Sequence, residues 1–322
     1  MISALFAALV TAPEFHRLDD DLAPLRNALG ERGLEAALVD WDDRHVDWSA
    51  FDAVVLRSPW DYTWRLDEFL AWAEHVASVT TLLNPLGVVR WNTDKHYLLH
   101  LAQAGVPVVP TTILEPGDEV ETAGLFFDGY EEIVVKPAIS AGSRDTDRYS
   151  ATRSTEALAH AERLLLQGRS VLVQPYIPSV DERGETALVY VDDRLTHAFS
   201  KGPMLVDGVG FVEGLYKEET VSPHEPDHAE VKVAEQALDA VGRCLTGLDR
   251  SDLLYARVDL VTDVDGSPRV LELELVEPAF FATRVPGALD KVADSIVRGV
   301  SRILGRRQAR RPGSDSSPGV TT

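Results

Sequence analysis

Cysteine and lysine are both scarce in this chain, and each shortage narrows what it can be. The single cysteine, Cys244, cannot close an internal disulfide. It lies in VAEQALDAVGRCLTGL, whose apolar spacing is helical, so it reads as a small hydrophobe, not a nucleophile. The six lysines are Lys95, Lys136, Lys201, Lys217, Lys232 and Lys291. Arginine carries the other positive charges, as a coding bias towards Arg and Ala would produce. Acidic residues outnumber basic ones 52 to 31, leaving a net charge of -21. That balance argues against a general nucleic-acid or anionic-membrane binder, although a local basic pocket for a nucleotide remains compatible with it.

No apolar run reaches transmembrane length. The N-terminus, MISALFAALVTAPEF, is apolar but has no basic n-region, so it reads as a first strand and not as a signal peptide. A soluble cytoplasmic protein is the default expectation. The histidines show no dependable metal spacing. His96 and His100 fall four residues apart on one expected helix without an HExxH pattern, which points to surface or packing roles. GxSxG, P-loop and GxGxxG motifs are all missing.

At 322 residues the chain can build two or three units with cores of their own. Strand and helix signals alternate over residues 1–90, which predicts a small open parallel sheet. Its expected strands are Ser3–Val10, Leu34–Asp40, Ala53–Arg57 and Thr81–Asn84, and its helices Asp20–Arg32 and Leu66–Ser78. RSPWDYTW follows the third strand, on the sheet edge where open α/β folds bind ligands. Arg57, Ser58, Trp60 and Asp61 are therefore substrate candidates, against the alternative of a structural loop with aromatic anchors. Asn92 or Thr93 can cap the next helix, which Gly105 ends. EEIVVKP then enters a loop of small residues, Ala138 to Ser143, and helical spacing follows to Leu166. SVLVQPYIP is a buried-looking strand, and residues 184–201 form a hairpin turning at Asp192–Asp193. After a loop with several glycines at Gly202–Gly214, helices are expected at Asp227–Leu245 and from Gly287 to Leu304. Residues 306–322 hold almost no apolar side chains and read as a disordered tail.

The densest chemistry lies in YARVDLVTDVDGSPRVLELELVEP. Two apolar runs flank a turn, which is a hairpin signature. Alternation puts Arg257 and Asp259 on one face of the first strand, and Glu272 and Glu274 on one face of the second. The intervening Val258, Leu260, Leu271, Leu273 and Leu275 require a core. The charged face is either solvated or a metal site. Clustered carboxylates repel unless a hard cation neutralises them, and Mg²⁺ takes such oxygen ligands.

Six phrases in order give these elements a further meaning: the DK of NTDK, then VVKP, VQPYI, GET, RVD and ELE. Over about residues 90–300 the chain resembles the ATP-grasp superfamily, in which two lobes sandwich ATP behind a small N-terminal α/β domain. RSPWDY, KPAISAGSRDTDRY and LELELVEPAFF look most like the group containing the O-ureidoserine cyclo-ligase of cycloserine biosynthesis. The resemblance implies an α/β fold with a pre-ATP-grasp domain at 1–90, a central lobe at 91–175 and a C-terminal lobe at 176–305.

It also implies roles for residues. Lys95 and Lys136 would meet the α- and β-phosphates of ATP. Ser140, Gly142 and Ser143 would lie in the loop that closes over the phosphates, with Arg144 adding charge; Gly142 is that loop's only glycine, a departure from glycine-rich relatives. The backbone at Tyr176 and Ile177 would read adenine, with Gln174 where many relatives carry Glu. Glu185 would bind the ribose hydroxyls. Lys201, with Lys217 as its competitor, would stand near the terminal phosphates. Asp259, Glu272 and Glu274 would bind Mg²⁺, two ions by family habit and Mn²⁺ as a substitute. Glu274 stands where many relatives have Asn. Arg257 would stabilise the acyl phosphate and the oxyanions that follow it.

The implied activity is ADP-forming ligation of a carboxylate to an amine on a small amino-acid-like substrate, with ring closure as one form. A dipeptide or amino-acid-conjugating ligase is the alternative enzyme, which a long groove would favour over a small pocket. A nucleotide-binding regulator without catalysis is the non-enzymatic reading, opposed by the presence of Arg257 and all three acids. Neither nucleic acid nor membrane is an expected partner. A homodimer would match many such ligases.

Overall fold

The structure is a computed structural model describing residues 5–120, 129–205 and 220–310. Lys217, most of the glycine-containing loop at 202–214, and residues 311–322 lie outside the described residues.

The first sheet has four parallel strands in the order β2-β1-β3-β4, with β1 at Leu5–Thr11, β2 at Leu34–Asp40, β3 at Ala53–Ser58 and β4 at Leu82–Leu83. Helix α1 (Leu22–Gly30) buries Leu22, Leu25, Ala28 and Leu29, and α2 (Leu66–Val79) buries Phe69, Ala73 and Val76. Those spacings give each helix one apolar stripe for the sheet. All six residues of β3 are buried, as expected of an inner parallel strand covered on both faces.

Helices α3 (Leu86–Asn92) and α4 (Tyr97–Gln103) lead to the second sheet. Asn92 ends α3 and does not cap α4. Its amide donates to the Leu273 carbonyl at 2.8 Å and accepts from the Leu275 N–H at 2.6 Å, satisfying buried strand groups that have no other neighbour strand. The second sheet is antiparallel in the order β5-β8-β6-β7, from β5 (Thr112–Leu114), β6 (Glu132–Pro137), β7 (Asp147–Ser150) and β8 (Val171–Pro175). Ile133 and Val135 of β6 pack with Ala157, Ala161 and Leu164 of α5 (Ser154–Leu166). Alternation turns Val134 and Lys136 the other way, into a cavity.

A short helix α6 (Ser179–Arg183) precedes the third sheet, also antiparallel, in the order β11-β10-β9-β12-β13. Its strands are β9 (Glu185–Val191), β10 (Arg194–Lys201), β11 (Val221–His224), β12 (Tyr255–Thr262) and β13 (Pro268–Glu274). Asp192 and Asp193 turn β9 into β10 with φ of 52° and 62°, the left-handed pair that a two-residue hairpin turn requires. Helix α7 (His228–Cys244) starts in a capping box between Asp227 and Glu230. Its Ala234, Ala237, Leu238 and Val241 share a core with Val258, Leu260 and Leu273. Cys244 is partly buried at the end of α7, and burial pushes its thiol up, away from the thiolate. Helix α8 (Ala288–Arg310) packs Val292, Ala293, Ile296, Val300 and Ile303 into the core that also holds α1. It runs on past the expected end at Leu304, into the segment read as tail: the apolar stripe stops there, but Arg and Gln are good helix formers. Among the described residues no helix is long and apolar enough to cross a membrane.

Candidate active site

One cavity opens between the second and third sheets. Its walls are Val134 and Lys136 of β6, the segment Gln174–Ile177, and the inward faces of β9, β12 and β13. Alternation builds the charged wall. Arg257 pairs across from Glu274, and Asp259 from Glu272, in the β12–β13 ladder. A bulge after Asp259 ends that register. The apolar residues between them face α7, so burying Val258 and Leu273 commits all four charges to the cavity.

These charges are densely paired. Arg257 donates to both Asp259 oxygens, from Nε at 2.8 Å and Nη2 at 2.9 Å, and also contacts Glu274. Its Nη1 donates to the Ala279 carbonyl at 2.9 Å. Lys201 Nζ lies 2.7 Å from Asp259 and 2.8 Å from Glu185. Gly184 makes that approach feasible: with φ of 71°, any Cβ there would meet the Lys201 carbonyl oxygen at 2.1 Å. Lys136 Nζ sits 2.8 Å from Glu272, and Lys95 Nζ 3.9 Å from it. Burial alone would raise Glu272, but Lys136 and Lys95 hold it well below the usual carboxylate range. Asp259 is likewise lowered, because Arg257 and Lys201 outweigh its burial. Glu274 is different. Burial pushes it up to about 8, and Asp259 and Glu272 add to the rise against the pull of Arg257.

Among the described residues no three His, Cys, Asp or Glu side chains stand at metal-holding spacing. Lysine and arginine nitrogens hold the carboxylate oxygens instead. The donor set nevertheless fits a hard cation: three carboxylates on facing strands supply only oxygen.

The nucleotide candidates converge as well. Lys95 Nζ donates to the Ser140 carbonyl at 2.9 Å, tying α4's entry turn to the small-residue loop. Gly142 and Ser143 both have positive φ, 63° and 58°, which turns that loop sharply back on itself. Ser140, Gly142 and Ser143 line the cavity with Gln174, Tyr176, Ile177 and Glu185. Gln174 donates to Thr111 at 2.9 Å, and Tyr176 is clamped by Asp181 and by Arg148, 3.5 Å above its ring. Arg144 turns out of the cavity to stack on Trp64 at 4.4 Å.

The substrate candidates behave otherwise. Arg57, Ser58 and Asp61 do not line the cavity. Arg57 is fully buried, donates to the Pro278 carbonyl at 3.1 Å and lies 3.8 Å over the Phe280 ring. Ser58 pairs with Thr11 at 2.8 Å. Asp61 accepts from Trp41 at 2.9 Å and from Arg65. The helical turn Trp60–Trp64 is the reason: it rotates Asp61 into the first domain and sends Trp60 and Tyr62 to the cavity. His96 and His100 serve local bonds, His96 to Asp94 and Glu115 and His100 to Trp91. Two residues that sequence reasoning passed over complete the wall. Tyr62 carried no signal beyond its aromatic neighbours, and Glu277 stood outside the alternating strand pattern.

The N-terminal part matches the family model for the N-terminal domain of D-cycloserine synthetase DcsG over residues 7–84. The cycloserine biosynthesis protein DcsG of Streptomyces lavendulae is 44% identical over 281 residues, which cover 86% of this chain and 92% of that protein. The chain belongs to the DcsG family of ATP-grasp ligases. The crystal structure of D-cycloserine synthetase DcsG superimposes with a TM-score of 0.83 at 39% identity, covering 92% of this chain and 99% of that one. The ATP-grasp fold extends to more distant ligases. D-alanyl-alanine synthetase A of Vibrio cholerae matches with a TM-score of 0.66 at 12% identity, over 95% of this chain and 100% of that one. Membership makes this DcsG-family chain an ATP-dependent ligase, and ATP and Mg²⁺ are the family's cofactors.

Proposed function

We propose that this ligase forms ADP while joining a carboxylate to an amine nitrogen of a small amino-acid-like substrate, by ring closure, in antibiotic biosynthesis of the cycloserine type. The carrying observation is the density of charge in one enclosed cavity: Lys95, Lys136, Lys201 and Arg257 against Asp259, Glu272 and Glu274. Phosphoryl transfer needs positioning and charge neutralisation more than covalent help from the protein. Mg²⁺ held by Asp259, Glu272 and Glu274 would neutralise phosphate charge. Lys95 and Lys136, beside Glu272, would receive phosphate oxygens, and Lys201 would meet the terminal phosphate. The cavity end of Tyr176 and Ile177 suits adenine, and Glu185 the ribose.

In the first step a substrate carboxylate oxygen takes the γ-phosphoryl group, and ADP leaves. In the second, another nitrogen of the substrate, the oxygen-bound ureido N–H in O-ureidoserine, bonds to the acyl carbon, phosphate leaves, and that nitrogen gives up its proton. Arg257, buried and fixed by Asp259 and the Ala279 carbonyl, would meet the developing oxyanion. The 44% identity to the cycloserine biosynthesis protein favours cyclisation over the dipeptide reading. Incubation with ATP, Mg²⁺ and a panel of amino acids including O-ureidoserine tests this, with nucleotide chromatography and mass spectrometry of products. ADP, phosphate and a dehydrated cyclic product are expected. AMP and pyrophosphate would refute the acyl-phosphate chemistry.

A further inference from the structure

Five carboxylates line the cavity: Glu185, Asp259, Glu272, Glu274 and Glu277. The first four each have a lysine or arginine within ion-pair distance. Glu277 has no such ion pair among the described residues, and Tyr62 lines the cavity with it. Tyr62 is buried, and burial and the neighbouring acids keep its proton on, so its hydroxyl stands as a donor beside the Glu277 carboxyl. The backbone of Glu277 is fixed separately, because Trp60 Nε1 donates to its carbonyl at 3.0 Å. The flanking carbonyls are held too: Val276 accepts from Tyr255 at 2.8 Å and Pro278 from Arg57 at 3.1 Å. A carboxyl on so constrained a segment, with a tyrosine beside it and no cation paired to it, is a preorganised acceptor facing the cavity.

Resting on the ligase reading above, we infer that Glu277, on its pinned segment beside Tyr62, is the group that recognises the amino group of the amino-acid-like substrate. The chemistry is matched end to end. Arg257 donates to the Ala279 carbonyl, two residues beyond Glu277, and would meet the reacting carboxylate. Glu277 stands on the same loop and offers the negative charge that a substrate ammonium requires. This is the charge pair that Arg57 and Asp61 could have supplied had they faced the cavity. Burial holds the Glu277 proton up to about 7, so a bound ammonium would draw the carboxyl into its charged form. A site built to bond an N–H rejects an analogue lacking it far more strongly than an apolar pocket rejects a missing methylene.

The test compares O-ureidoserine with its deamino analogue, 3-(ureidooxy)propanoic acid, in wild type, Glu277→Gln and Tyr62→Phe. ATP binding is measured by calorimetry on each protein as the check on folding and on the nucleotide site. Wild type should prefer the amino compound by about 10⁴-fold in kcat/KM, the order expected where a polar group is left unpaired. Glu277→Gln should raise KM for the amino compound at least tenfold and cut the preference to within a few-fold, with ATP affinity kept. Tyr62→Phe should fall between them, having lost the neighbouring hydroxyl but not the acid. Unchanged KM and unchanged preference in Glu277→Gln would overturn this inference and leave the ligase reading standing. No ADP formation by the wild type with any panel member would overturn both.

Discussion

Asn84 offers the sharpest test of how the site is held in place. It is fully buried, and its amide donates to the Tyr255 carbonyl at 2.8 Å and the Leu275 carbonyl at 2.7 Å. Its carbonyl accepts from the Leu254 N–H at 2.6 Å. Replacing it by Ala strands three buried backbone groups at once. Each stranded group costs about 1–3 kcal/mol, so the loss should be at least about 3 kcal/mol and on the order of 5 kcal/mol. Asn92→Ala strands two groups, the Leu273 carbonyl and the Leu275 N–H, and should cost about 2–4 kcal/mol. Both asparagines grip Leu275, so once one is lost the strand end relaxes and the second loss should cost less. The double variant should therefore fall short of the sum by about 0.5 kcal/mol or more. Urea unfolding followed by fluorescence gives the differences. Leu275 follows Glu274 directly, and Tyr255 precedes Arg257 by two, so turnover should fall in both variants. A loss under about 1 kcal/mol for Asn84→Ala, or a larger loss for Asn92→Ala, would refute the reasoning.

Asp259→Ala and Glu272→Ala should each abolish turnover while leaving circular dichroism unchanged; a double variant that turned over normally would exclude this acid cluster as the metal site. The metal-free protein should lose stability as pH rises from 6.5 to 8, because folded Glu274 keeps its proton up to about 8 whereas its ordinary value is 4.5. Below about pH 6.5 buried His160, lowered to about 4, acts with the opposite sign, so the window starts above it and Glu274→Gln, which should flatten the slope, is the control. Thermal melts across that window check the sign, and a wild-type midpoint that rose would contradict it. Arg57→Met should destabilise by about 1–3 kcal/mol because it strands the buried Pro278 carbonyl and removes a charge that favours ionised Asp19, while adding Asp19→Asn should recover part of the loss; additive losses in a denaturation cycle would show that the two do not interact.

The site was legible where period-two alternation and burial act together. Val258 and Leu273 had to face a core, so Arg257, Asp259, Glu272 and Glu274 had to share the other side, and they do. Ile133 and Val135 fixed the direction of Lys136 in the same way. The reading failed where a helical turn replaced the strand. The rule that ligands bind beyond strand ends picked the right edge of the first sheet, but parity does not continue through Trp60–Trp64. Asp61 turns to Trp41, while Trp60 and Tyr62 line the cavity. Asn92 shows a second limit. Its position before a helix is a local cap signal, but the backbone of β13, some 180 residues away in sequence, outcompeted it. Glu277 had no local signal at all, because its exposure to the cavity is set by carbonyl bonds to Trp60, Arg57 and Tyr255 on other elements.

Lysine scarcity carried more information than its coding explanation allowed. Of the six lysines, Lys95, Lys136 and Lys201 line the cavity, and all three are buried. The arginines elsewhere meet carboxylates in forked geometry, as Arg148 does with Glu132 and Asp181 and Arg32 with Asp290 and Asp294. A guanidinium fork suits a fixed planar partner. A compact ammonium on a flexible stem can leave one carboxylate and follow a phosphate as it moves. The cavity keeps its lysines on Glu272, Asp259 and Glu185, each an acid expected to hold magnesium or ribose. Ligand entry would then be an exchange of partners: the acids turn to the cation and sugar as the lysines turn to the phosphates. In that exchange no charge is left unpaired at either stage. The same side chains that pair with one another in the ligand-free cavity would thus be the set that binds nucleotide.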